Sequence, residues 1–159
     1  MRKQIIPPTI QTKASPCLDV DWLNLEEIAG VELTSEDPAH PIESALLSGQ
    51  TSGWKAAGPG KQVIRLIFPE PQHLQRILLN FVETNTERTQ EYILRWSTDD
   101  GLTFQEIARQ QWNFSPTGST SETEDHHVKL SAVTILELSI IPDINGGNVC
   151  ATLEQFRLA

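Results

Sequence analysis

The sequence predicts an all-β protein, a sandwich or barrel of antiparallel strands. Three observations carry the prediction. Runs rich in valine, isoleucine, leucine and phenylalanine recur along the chain, each ended by turn-forming residues. Helical periodicity is almost absent, so strands are the economical reading of those runs. The stretch RWSTDDGLTF (95–104) places Asp-Gly between two such runs, a strong hairpin signal because glycine accepts the positive φ a tight turn requires.

The elements follow in order. Residues 1–18 are polar and broken by proline, which predicts an arm without its own core; residues 19–159 form the domain. Ile28, Val31 and Leu33 mark a first strand, and PIESALLSG supplies one helical turn before glycine ends it. Strands are then expected at 62–68, 74–83, 89–97, 102–114, 126–130, 132–141 and 151–158. Between them lie FPEPQ, TNTER, the Asp-Gly turn, the polar loop 115–125 and PDINGGN.

Bulk properties exclude several classes of function. A chain of 159 residues holds one domain with a real core. A net charge of −9 with no basic cluster opposes binding to nucleic acid or to an anionic membrane. MRKQIIPPTIQTKASPC lacks the apolar centre of a signal peptide, which predicts a cytoplasmic chain. Cys17 and Cys150 are read as free thiols, with a bridge open if the termini meet.

Catalytic motifs are missing from the sequence. It has no phosphate-binding glycine loop, no nucleophile elbow and no zinc-type spacing, so it predicts a protein that is not an enzyme. Asp99 and Asp100 are neighbours, and on a strand they would face opposite ways. They are expected to hold the turn's backbone amides. His126 and His127 read as exposed residues at a strand start, and His73 as a turn residue. The acidic SETED lacks the spacing of a calcium loop and reads as solvated.

QQWNFSP offers the most for recognition. Trp112 and Phe114 share one face of a strand, as a core wall or a stacking platform, and Trp22 and Trp54 carry the same two readings. A sugar site needs such an aromatic surface beside polar groups that reach hydroxyls. Trp112, Asn113 and Phe114, with Arg88 at a neighbouring turn and His40 before the first long strand, are the candidate ligand-binding residues.

A family resemblance joins this reading at the strand EYILRW followed by SxDxGxTF. HPIESALLSGQTSGW, then QVIRLIF, and the closing ATLEQFRLA fall in the same order as in the discoidin, or coagulation-factor C-type, domains of the galactose-binding-like superfamily, which residues 28–159 resemble. The resemblance implies a jelly-roll β-sandwich of about eight antiparallel strands. It also implies a non-catalytic binding module for a carbohydrate, with a cytoplasmic protein-interaction domain as the alternative. No cofactor is implied beyond a weak calcium site, of which Glu154 would be the remaining side-chain ligand with backbone carbonyls supplying the others. Many family members hold a structural calcium ion; here Glu154 matches the closing-strand glutamate, while Leu47 and Ser48 stand where an Asp-Gly pair would. AVTILELSII lacks the arginines often found on that strand in the family.

Overall fold

The computed structural model describes residues 21–47, 49 and 52–159. The expected arm at 1–18, Cys17 with its pairing, and Ser48 lie outside these residues. Nearly all of the regular structure is strand. Two single-turn helices, α1 (Leu25–Ile28) and α2 (Glu43–Leu46), flank β1 (Gly30–Leu33). Then come β2 (Trp54–Pro59), β3 (Gln62–Val82), β4 (Arg88–Ser97), β5 (Gln105–Phe114), β6 (Ser121–Ile141), β7 (Cys150–Leu153) and β8 (Gln155–Leu158).

The main sheet has the order β1-β3-β6-β4-β5, all of it antiparallel; β8 adds to the second half of β3, and β2 pairs with β7 in a separate ribbon. β3 and β6 pair along nearly their whole lengths. Their first-to-last pairing, from Gln62 with Ile140 to Val82 with Ser121, is interrupted by register shifts between Ile67 and Arg76. There both strands bend, so their two halves serve two facing layers. On the partner strand, Ala132 takes a φ of 59°, a left-handed conformation that marks the bend.

The core lies between these layers. Ile64, Leu66, Ile77, Leu79 and Phe81 from β3 meet Tyr92 and Leu94 from β4 and Leu136, Leu138 and Ile140 from β6, all enclosed. Phe81 stacks on Tyr92 with centroids 5.4 Å apart, joining the layers directly. Trp54 is 2% exposed and donates from Nε1 to the Ser35 carbonyl at 3.2 Å, which settles it as a core residue. Trp22 is half-buried, with the Arg76 guanidinium over its ring at 5.2 Å.

Several sequence expectations change. FPEPQ does not end a strand: β3 continues through Pro69 and Pro71, which are exposed where the ladder is already interrupted and no donor is lost. Likewise 126–130 and 132–141 are one strand that begins at Ser121, which shortens the loop to 115–120. Ile28 belongs to α1 and not to the first strand, and 151–158 divides into β7 and β8. His126 is mid-strand and half-buried, its Nε2 2.8 Å from the Tyr92 hydroxyl, while His127 is exposed.

The Asp-Gly hairpin holds as expected at Asp99. Its Oδ1 accepts from the Thr103 amide and the Ser97 hydroxyl, and Oδ2 from the Thr103 hydroxyl. These donors hold its carboxyl down at a pKa of about 2. Gly101 supplies the turn's φ of 92°.

Candidate functional site

Three connections converge at one end of the sandwich: 83–87 between β3 and β4, 115–120 between β5 and β6, and 142–149 between β6 and β7. The first and third enclose a cleft of about 380 Å³ with Lys55 on its wall. Into it come Thr84, Asn85, Thr86 and Asn148, all exposed, together with Glu83, Cys150 and Thr152. Hydroxyls and carboxamides predominate. Such groups both donate and accept, as a ligand rich in hydroxyls demands.

The loop is shaped from beneath. Glu83 Oε2 accepts from the amides of Asn85 (3.0 Å) and Thr86 (3.3 Å), which turns the chain and leaves the side chains facing outward. Its Oε1 accepts from Arg88 Nε at 2.9 Å. Arg88 then ties the remaining walls together. Nη1 donates to the Pro142 carbonyl and to Gln90 Oε1, and Nη2 to the Thr152 hydroxyl. The hydroxyl of Thr152 in turn donates to the Val82 carbonyl.

This corrects the expectation for Arg88 and Phe114 as ligand contacts. The Arg88 side chain is 0% exposed and lies over the Phe114 ring at 4.9 Å, and Phe114 is itself enclosed. Neither presents a surface to a ligand. Both lie behind the cleft wall, where Arg88 joins Glu83, Pro142 and Thr152.

The other candidates separate. Trp112, opposite Gln90, is half-buried against the core, and its indole Nε1 is enclosed without a protein partner. Asn113 is exposed on the opposite face and accepts the Thr89 hydroxyl at 2.7 Å. His40 reaches the cleft only through backbone: its carbonyl accepts from Lys55 N at 3.2 Å. Its Nδ1 stands 3.6 Å from the Asp37 carboxylate, an ion-pair distance too long for a hydrogen bond.

Glu154 is half-buried beside Gly53, where a side chain would meet Oε1 at 2.9 Å. Among the described residues no three His, Cys, Asp or Glu side chains gather as a metal site would require. Cys150 carries a free thiol.

One group escaped the sequence reading. Glu122, from the SETED stretch, is 3% exposed between the layers, and neither carboxylate oxygen has a hydrogen-bonding protein partner. Burial, then the neighbouring Glu124, push its pKa up to about 8, so it is mostly protonated at neutral pH. Burial and the same two carboxyls push the Tyr92 hydroxyl upward. The alternation of SETED in a strand was the available signal, hidden by its polar composition.

No protein-family model matches the chain, and no curated protein sequence does. Solved structures do match. A family 32 carbohydrate-binding module (CBM32) of Clostridium perfringens, in complex with GalNAc-β-1,3-galactose, superposes with a TM-score of 0.60 at 17% identity, over 87% of this chain and 99% of that one. The family 32 module of C. perfringens NanJ, in complex with galactose, gives 0.62 at 14% identity, over 86% and 96%. A pectin-binding carbohydrate-binding module gives 0.57 at 17% identity, over 83% and 90%. Near-complete coverage of both partners makes the match one of whole domains. The chain therefore shares the antiparallel jelly-roll β-sandwich fold of these modules.

Proposed function

We propose that this chain is a non-catalytic carbohydrate-binding module whose ligand enters the cleft between residues 83–87 and 142–149. The observation that carries this reading is the cleft itself, a rim of Thr84, Asn85, Thr86 and Asn148 held open by the buried Arg88–Glu83 pair. Preorganised loops with short amides and hydroxyls bind sugar hydroxyls without a large ordering cost. The sugar-bound state of two structural neighbours supports the ligand class.

A non-catalytic role is supported by where the raised carboxyl lies. Glu122 stands between the layers and does not line the cleft, so it is not placed to protonate a glycosidic oxygen there. The protein-interaction alternative calls for a contiguous apolar patch. Leu102 and Ile144, the exposed large hydrophobics among the described residues, sit at opposite ends of β4.

Calorimetric titration with galactose, GalNAc and galacturonan oligomers tests the reading. Binding should be lost in Asn85→Ala/Asn148→Ala while the melting temperature stays unchanged. Full binding by that variant would place the sugar elsewhere, and no heat with any saccharide would remove the reading.

A further inference from the structure

A second cavity, of about 630 Å³, lies away from the loop cleft, between residues 22–26 and the end of α2. Arg157 forms part of its wall. β8 alternates: Phe156 and Leu158 pair with Leu79 and Ile77 and point with them into the core, so Arg157 points to the other face, beneath α2.

Every other described arginine meets a carboxylate. Arg65 and Arg95 share Glu137, Arg76 holds Asp125, Arg88 holds Glu83, and Arg109 holds Glu106. Arg157 is the exception. It is only 9% exposed, yet its guanidinium has one protein partner among the described residues, the Leu46 carbonyl, 2.9 Å from Nη1. A guanidinium presents five N–H donors, and with a single neutral acceptor on Nη1 the others are left to face the cavity.

The rest of the cavity is suited to a small organic body. Trp22, Leu23, Leu25 and Leu47 give apolar walls. Asn24 Oδ1 accepts from the Glu26 amide, which leaves the carboxamide N–H groups as donors. The volume falls in the range of ordinary small-molecule sites, roughly 300–1,000 Å³.

We propose that this cavity binds a small monocarboxylate, its carboxylate paired with the Arg157 guanidinium and its body against Trp22 and Leu47. A planar carboxylate can take two guanidinium N–H groups side by side, which an isolated backbone carbonyl cannot. Glu26, also on the cavity wall, disfavours a second anionic group on the ligand. A hexuronate meets these conditions, as does an aromatic acid. The site is independent of the loop cleft.

The test is titration of the full chain with galacturonate, benzoate and neutral galactose, followed by the Arg157 Nε–H resonance and by Trp22 fluorescence. One or both acids should shift that resonance, and galactose should not. Response to galacturonate identifies an acidic sugar as the source of the carboxylate; response to benzoate alone identifies a non-sugar acid and still supports the site. Arg157→Gln should weaken binding at least about tenfold. Because a buried position can unfold when changed, Leu47→Trp, at a half-buried wall position, provides a second test: it should fill the cavity and abolish binding with the fold retained. Asn85→Ala/Asn148→Ala should leave acid binding unchanged, which separates this site from the loop reading. No shift with either acid, or equal responses to galacturonate and galactose, would overturn the proposal.

Discussion

Replacing Glu122 by glutamine should abolish a pH dependence of stability that the wild-type protein carries. The native carboxyl holds its proton up to a pH of about 8, whereas an unfolded glutamate releases it near its ordinary value of 4.5. Between those limits the native state binds one proton more than the unfolded state. The sign follows: stability falls as pH rises, by about 1.4 kcal/mol per pH unit, and the full contribution is present only below the unfolded value. Across the window the loss is at most about 5 kcal/mol. Glu122→Gln is uncharged at every pH and close in shape to the protonated acid. Urea denaturation at pH 5, 6.5, 8 and 9 should therefore show the two proteins nearly equal at pH 5 and the variant more stable at pH 9. Taking the difference cancels the general repulsion within an acidic chain. Parallel stability curves for the two proteins would show that Glu122 ionises normally and that the reasoning from its burial is wrong.

Trp54→Ala should cost about 3–5 kcal/mol in equilibrium denaturation, since it removes an enclosed indole and its bond to Ser35. A midpoint equal to wild type would mean that the ring is not packed as described. Arg88→Met should destabilise by about 3–5 kcal/mol, because Glu83 would be left without its cation and the cleft loops without their common tie. Sugar binding should fall with it, and a variant with both properties intact would remove Arg88 from the positioning role.

Periodicity made the strands legible, because a half-buried strand writes its two faces into alternate residues, as QVIRLIF and EYILRW do. Strand ends were less legible. Pro69 and Pro71 look like punctuation, and only the three-dimensional ladder shows that the strand bends there and continues. The candidate site was legible in part. Trp112 and Phe114 do share a face, but nothing local says whether that face meets water, since burial is decided by the opposing layer. Arg88 illustrates the same limit: a charge beside a turn looks solvated until Glu83, Pro142 and Thr152 are seen to enclose it. Thr84–Thr86 and Asn148 are ordinary loop residues in sequence. Their cooperation comes from topology, which brings two distant connections to one end of the sandwich.

The shared ladder of β3 and β6 also governs how the molecule comes to its native state. Gln62 meets Ile140 and Val82 meets Ser121, so the whole β4–β5 hairpin must be looped out before either contact can form. Loop-closure entropy is spent early and repaid late, which places folding in the slow, millisecond-to-second regime of chains dominated by non-local pairing. The hairpin, with Ser97, Asp99 and Gly101 already satisfying one another, is the segment able to form first by itself. Once closed, the ladder leaves no layer free to open alone: separating β3 from β6 strips backbone partners from both at once. Amides on the two long strands should therefore exchange with solvent together, at the rate of global unfolding, while those of 83–87 and 142–149 exchange far sooner.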